Sequence, residues 1–143
     1  MKRMITRGTA LLCLVLCIAT MIACGKDKEV PTGLWEKAVY QQDLTLGDGE
    51  KSFVFAVVID DKTVTFTVKT DKTTVGEALL DAGLIAGEEG PYGLYVKSVN
   101  GITADYDVDG SYWCFCINGQ MAMTGVDATP IAEGETYGFV YMK

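Results

Sequence analysis

The chain has 143 residues, no histidine, and a formal charge of −7 from 12 basic and 19 acidic side chains. The missing histidine removes Ser-His-Asp and Cys-His nucleophilic machinery, and imidazole-bound zinc, in one step. An acidic chain without a basic cluster is a poor partner for nucleic acid, whose binding depends on neutralising phosphates.

Lys2, Arg3 and Arg7 form a basic start before an uncharged apolar run from Ala10 to Ala23. The run falls short of the roughly 20 residues a membrane helix needs, and it has the length and flanks of a signal-peptide core. It ends Met21-Ile22-Ala23-Cys24-Gly25 and turns polar at once with Lys26, Asp27, Lys28 and Glu29. That ending resembles a bacterial lipobox, with Met where Leu is commoner at the first position. On this reading residues 1–23 are a lipoprotein signal peptide, and Cys24 becomes the first mature residue and carries the acyl chains. Cys13 and Cys17 leave with the signal. The alternative is an ordinary signal peptide with a cysteine nearby. A mature chain of about 120 residues has room for one domain and a linker. Losing Lys2, Arg3 and Arg7 takes its charge from −7 to −10. With no polybasic patch, the lipid itself holds the protein at the extracytoplasmic face of the cell membrane.

Residues 24–50 read as a tether and residues 51–143 as the domain. In the tether Leu34, Trp35, Val39, Tyr40, Leu44 and Leu46 follow no clear period, but their apolar content implies that part of it docks on the domain. From Phe53 to Thr70 the pattern is a hairpin: FVFAVVI, a turn at Asp60-Asp61-Lys62, then TVTFTVKT with Val64, Phe66 and Val68 on one face. Thr74 is a natural helix N-cap, and Glu77 completes a capping box. Val75, Ala78, Leu79 and Ala82 then form one apolar stripe, stopped at Gly83. A helix this short needs a sheet to pack against. A loop from Gly87 to Gly93 follows, then a strand from Leu94 to Val99, a turn at Asn100-Gly101, and a return from Ile102 to Tyr106. Thr136 to Met142 is the last strand.

Ser111 to Val126, SYWCFCINGQMAMTGV, is the centre of the pattern. Asn118-Gly119 between two apolar runs is a strong hairpin signal, because a type I′ turn needs two residues that tolerate positive φ. The pairing then sets Cys116 against Met121, Phe115 against Ala122, Cys114 against Met123 and Trp113 against Thr124. One face carries Tyr112, Cys114, Cys116, Met121 and Met123, and the other carries Trp113, Phe115, Ala122 and Thr124. Neither face is polar. Either both are buried, or one is an apolar surface open to a ligand.

Candidate chemistry is sparse. Asp105, Asp107 and Asp109 before Gly110 have the spacing that opens an EF-hand loop, but the twelfth position is Cys116, which cannot supply the bidentate carboxylate. They read as solvated turn acids. Cys114 and Cys116 sit on one face with Cα atoms near the upper limit of disulfide reach, about 7 Å, so a bridge is not expected. Two thiolates without histidine are a weak metal signal, and the pair reads as small buried apolar residues. Adjacent Glu88 and Glu89 do not place two carboxyls across a glycosidic bond. No phosphate-binding glycine loop is present. The chain is expected not to be an enzyme, and no cofactor is expected.

One helix serves several strands, which is α+β: a mixed or mostly antiparallel sheet with the helix across one face. A β-grasp, ubiquitin-like arrangement is the most economical version, with the final strand central between the first hairpin and the rest.

The segment Thr74 to Tyr141 resembles the C-terminal domain of transcobalamin and intrinsic factor, in the version found in small bacterial lipoproteins. The carriers are TTVGEALLDAGL, the loop GEEGPYGLYVKSVNG, Tyr112-Trp113, the hairpin through Asn118-Gly119, Gly125-Val126, and Glu133 to Phe139. The resemblance implies the fold, and a domain that closes over cobalamin held mainly by a helical partner. This chain shows no pattern for such a partner. It implies a non-enzymatic capture lipoprotein that binds a small molecule, a corrinoid such as cobalamin or another vitamin, and passes it to an uptake transporter. Tyr92, Tyr95, Tyr112, Trp113, Met121 and Met123 are the ligand-binding candidates, because aromatic and Met side chains give flat, adaptable apolar contact. At Trp113 and Phe115 core packing competes with that role. The rival class is a protein-interaction module in which an exposed edge, such as the strand returning from Met121, pairs with a partner by strand addition.

Overall fold

The computed structural model describes residues 33–143. The signal-like run, Cys24 and the first part of the tether lie outside the described residues.

Among the described residues two sheets form. The larger has six strands: β1 (Leu44–Gly47), β2 (Lys51–Ile59), β3 (Lys62–Thr70), β7 (Tyr112–Ile117), β8 (Gln120–Met121) and β9 (Thr136–Met142). Their order is β1-β3-β2-β9-β7-β8. β4 (Ile85–Gly90), β5 (Gly93–Val99) and β6 (Ile102–Thr103) form the smaller, antiparallel sheet. The main helix is α1 (Val75–Asp81), and α2 (Tyr106–Asp109) is a single turn.

The large sheet is a β-grasp. Hairpin β2–β3 pairs antiparallel from Lys51↔Thr70 to Ile59↔Lys62, and its alternation buries Phe53, Phe55, Val57, Ile59, Val64, Phe66 and Val68. β9 lies in the middle, parallel to β2 and antiparallel to β7. Gly138 permits this close approach, since a Cβ there would stand 2.8 Å from the Ala56 carbonyl oxygen. Helix α1 starts as expected, with the Thr74 hydroxyl accepting from the Glu77 N–H at 3.2 Å. It ends at Gly83 (φ 72), where the Leu84 N–H donates to the Leu79 carbonyl and the Gly83 N–H to that of Leu80. Val75, Ala78 and Leu79 are buried in the same core as Phe55, Phe66, Tyr137 and Phe139.

Three expectations are corrected. The Gly87–Gly93 segment is not a loop: it is most of strand β4 and the turn into β5. Its glycines and glutamates carry no burial pattern, and backbone pairing with β5 makes the strand. The register slips between Ala86 and Gly87, where a Cβ on Gly87 would meet the Tyr95 carbonyl oxygen. The return from Ile102 pairs for two residues, after which Asp105 caps α2 by accepting from the Asp107 N–H at 3.1 Å. The return from Gln120 is equally short. Cys116↔Met121 pairs as expected and the Ala122 N–H donates to the Phe115 carbonyl, but Met123 then turns into solvent, without a Cys114 partner.

Residues ahead of β2 do dock. Trp35, in the 3₁₀ turn Gly33–Lys37, is buried, and β1 adds to β3 in parallel. Asn100 clamps this segment from the β5–β6 turn. Its side chain donates to the Tyr40 carbonyl at 2.7 Å and accepts from the Tyr40 N–H at 2.9 Å, while its own carbonyl takes the Val39 N–H.

Candidate functional site

β7 presents two different surfaces, and parity assigns them. Trp113, Phe115 and Ile117 face the core side, and Tyr112, Cys114 and Cys116 face outward. On the core side a cleft of about 140 Å³ opens between β5, β7 and the 3₁₀ turn Val126–Ala128. Leu94, Tyr95 and Val96 line it from β5, Trp113 and Phe115 from β7, and Gly125, Val126 and Phe139 complete the lining.

Each wall is fixed. The Trp113 Nε1–H donates to the Ile102 carbonyl at 3.1 Å, tying β7 to the smaller sheet, and its ring meets Tyr141 edge-on at 5.4 Å. Phe115 stacks on Tyr137 and leans on Phe139, with ring centroids 6.4 and 5.3 Å apart, yet stays half-buried. Asp127 holds β5 to the 3₁₀ turn by accepting from the Leu94 N–H at 3.2 Å. Glycines at 93 and 125 make room for that carboxylate, since a Cβ on either would approach it to 2.9 Å. The same turn is locked to α1, because the Val75 N–H donates to the Thr129 carbonyl. The Thr129 hydroxyl in turn donates to the Gly125 carbonyl at 2.8 Å.

The six candidate residues are not brought together. Tyr95 and Trp113 share the cleft. Tyr92 stands at the β4–β5 tip, 98% exposed. Tyr112 lies on the opposite face of β7 and packs on Tyr106 at 6.4 Å. Met121, 69% exposed, shares that outer face through its pairing with Cys116, and Met123 is 98% exposed in the following loop. Two further residues of the cleft region, Phe115 and Asp127, carry no functional signal in the sequence: Phe115 reads as core, and Asp127 shows no local pattern.

Cys114 and Cys116 are half-buried on the outer face rather than sealed in the core, with their Sγ atoms 4.0 Å apart. Burial, then the neighbouring Cys114 thiol, pushes the Cys116 thiol up to about 11. Glu88 and Glu89 alternate along β4, and Glu88 pairs with Lys97 at 3.5 Å. Asp109 accepts from the Ser111 hydroxyl and N–H, which holds its carboxyl below the usual range, with Lys143 at 3.6 Å adding to the effect. Among the described residues no three His, Cys, Asp or Glu side chains converge.

Residues 72–142 match the family described as a domain of unknown function, DUF4430. Among solved structures the chain is similar to a candidate metal-binding protein from Ruminococcus gnavus ATCC 29149. The two share 32% identity with a TM-score of 0.61, over 66% of this chain and 98% of that one. It is also similar to haptocorrin, solved in complex with Cbi, at 18% identity and a TM-score of 0.50. That match covers 68% of this chain and 26% of haptocorrin, so it is a likeness of fold to about a quarter of that protein. No curated protein matches the chain.

Proposed function

Residues 72–142 match the DUF4430 family, and from that premise we propose that the chain is a non-enzymatic binding lipoprotein on the extracytoplasmic face of the cell membrane. It captures a small molecule against the cleft walled by Tyr95, Trp113 and Phe115. The observation that carries this reading is Phe115, a ring directed at the core side of the sheet yet left half-open over a floor of buried apolar residues. The membrane location rests on the Met21 to Cys24 ending of the apolar run, with the lipid on Cys24.

The haptocorrin likeness directs the first trials to corrinoids. At about 140 Å³ the cleft is smaller than the roughly 300 Å³ at which pockets begin to enclose a drug-sized ligand. It therefore grips one edge of a corrinoid, and the remainder rests toward Tyr92 or against a partner such as an uptake transporter. Strand addition has less to work with, because the return from Met121 offers a two-residue strand.

The test is calorimetric titration of the full chain, in detergent, with cobinamide and with cobalamin. Saturable one-to-one binding that weakens about tenfold in Tyr95→Ala, and not in Met123→Ala, supports the cleft. No heat and no thermal stabilisation with either compound rejects the corrinoid reading.

A further inference from the structure

The outer face of β7 carries a second arrangement, separate from the cleft. Side chains two apart on a strand start from Cα atoms about 6.8 Å apart, yet the Cys114 and Cys116 sulfurs converge to 4.0 Å. Two thiolates that each lie about 2.3 Å from one metal at a near-tetrahedral angle are about 3.8 Å apart. The observed gap is already close to that span. Both thiols are free and half-buried, so a solvent ion can reach them.

The neighbours favour a soft ion. Met121 is the cross-strand partner of Cys116 and shares its face. This is the pair one step in from the turn-flanking pair Ile117↔Gln120, a position where side chains approach closely. On the other side Cys116 faces Gly138, which has no side chain, and Cys114 faces Val140. Two adjacent thiols thus share a sheet face with Met121, which stands opposite Cys116 in register, and no carboxylate or imidazole occupies the cross-strand positions. Soft sulfur ligands of this kind select monovalent copper, whereas zinc takes four donors in its structural sites.

We propose that Cys114, Cys116 and Met121 form a binding site for one Cu(I) ion. On binding, two S–H bonds break, two Cu–S bonds form to the thiolates, and both protons leave to solvent, with the Met121 thioether as the third donor. The bound cluster carries a net charge of −1.

The experiment is an anaerobic competition for Cu(I) between the full chain and a chromophoric bis-chelator, in parallel with a Cys114→Ser/Cys116→Ser variant of the same chain. Copper held by any other thiol cancels in this difference. The proposal expects about one more Cu(I) per native chain than per variant, with about two protons released, and a several-fold weaker site in Met121→Leu. Equal copper uptake by native and doubly substituted chains overturns it. So does an unchanged affinity in Met121→Leu, or Zn(II) bound as tightly as Cu(I). Alkylation of the native protein, read by mass spectrometry on the peptide holding both cysteines, needs no variant. Protection at saturating Cu(I) supports the site, and full modification there overturns it.

Discussion

β2 and β3 pair from end to end without a slip, and every inward side chain between Phe53 and Val68 is buried. β4 and β5 slip at Ala86–Gly87, and all of β4 after Ile85 is exposed. The larger sheet is held by an unbroken apolar face, while the smaller buries only Ile85, Val96, Val99 and Ile102 and leans besides on backbone pairing and a few anchors: Asn100 to Tyr40, Leu94 to Asp127, and Trp113 to Ile102. The cleft lies on the seam between them. A ligand there contacts one wall that packing fixes and one wall that individual hydrogen bonds fix.

Substitutions sharpen this contrast in a graded way. Phe66→Ala removes a fully buried ring stacked on Phe55 at 6.2 Å, and urea denaturation is expected to show a loss of about 3–5 kcal/mol. A loss below about 1 kcal/mol would break the claim that burial holds the larger sheet. Asn100→Ala strands the Tyr40 backbone groups and puts alanine, which tolerates the left-handed region less well than asparagine, at φ 52, an expected cost of about 2–3 kcal/mol. Asn100→Gly relieves the backbone but not the hydrogen bonds, so it recovers only part of that loss, with hydrogen exchange rising at residues 33–43. Thr74→Ala deletes the helix cap, for about 1 kcal/mol.

Tyr95→Ala, on the exposed side of β5, shifts stability by no more than about 0.5 kcal/mol, yet it removes a wall of the cleft. It thereby separates binding from folding. A separate effect is one of pH. The native Cys116 thiol, raised from 9.0 to about 11 chiefly by burial, holds its proton more tightly than the unfolded chain does. Its contribution to stability is complete below pH 9 and is lost as pH climbs from 9 toward 11. Subtracting the profile of Cys116→Ala isolates it, and parallel profiles for the two proteins would remove it.

The same contrast explains what the sequence discloses. β2 and β3 alternate strongly, β9 is a short aromatic and apolar run, and α1 carries its cap, stripe and terminal glycine within a dozen residues, so local chemistry specifies each of them. The turns at Asn100 and Asn118, with φ 52 at both, follow from Asn-Gly alone. β4 is invisible by those signals, because Gly87-Glu88-Glu89-Gly90 becomes a strand only when β5 is beside it. Trp35 and β1 dock through contacts to residues far along the chain, and no period announces them. At the site, parity correctly separates Trp113 from Tyr112 and Met121. That Phe115 stays half-open depends on how β5 and the turn at Val126 stand over it, a tertiary fact without a local trace.

The middle position of β9 bears on how the protein is made. Thr136–Met142 is the last strand of this domain to be synthesised, and both β2 and β7 need it as a partner. Until it arrives, the hairpin, the helix and β7 wait with unpaired edges and uncovered rings, and the pairing that unites them spans about eighty residues. Assembly therefore follows completion of the chain rather than accompanying it.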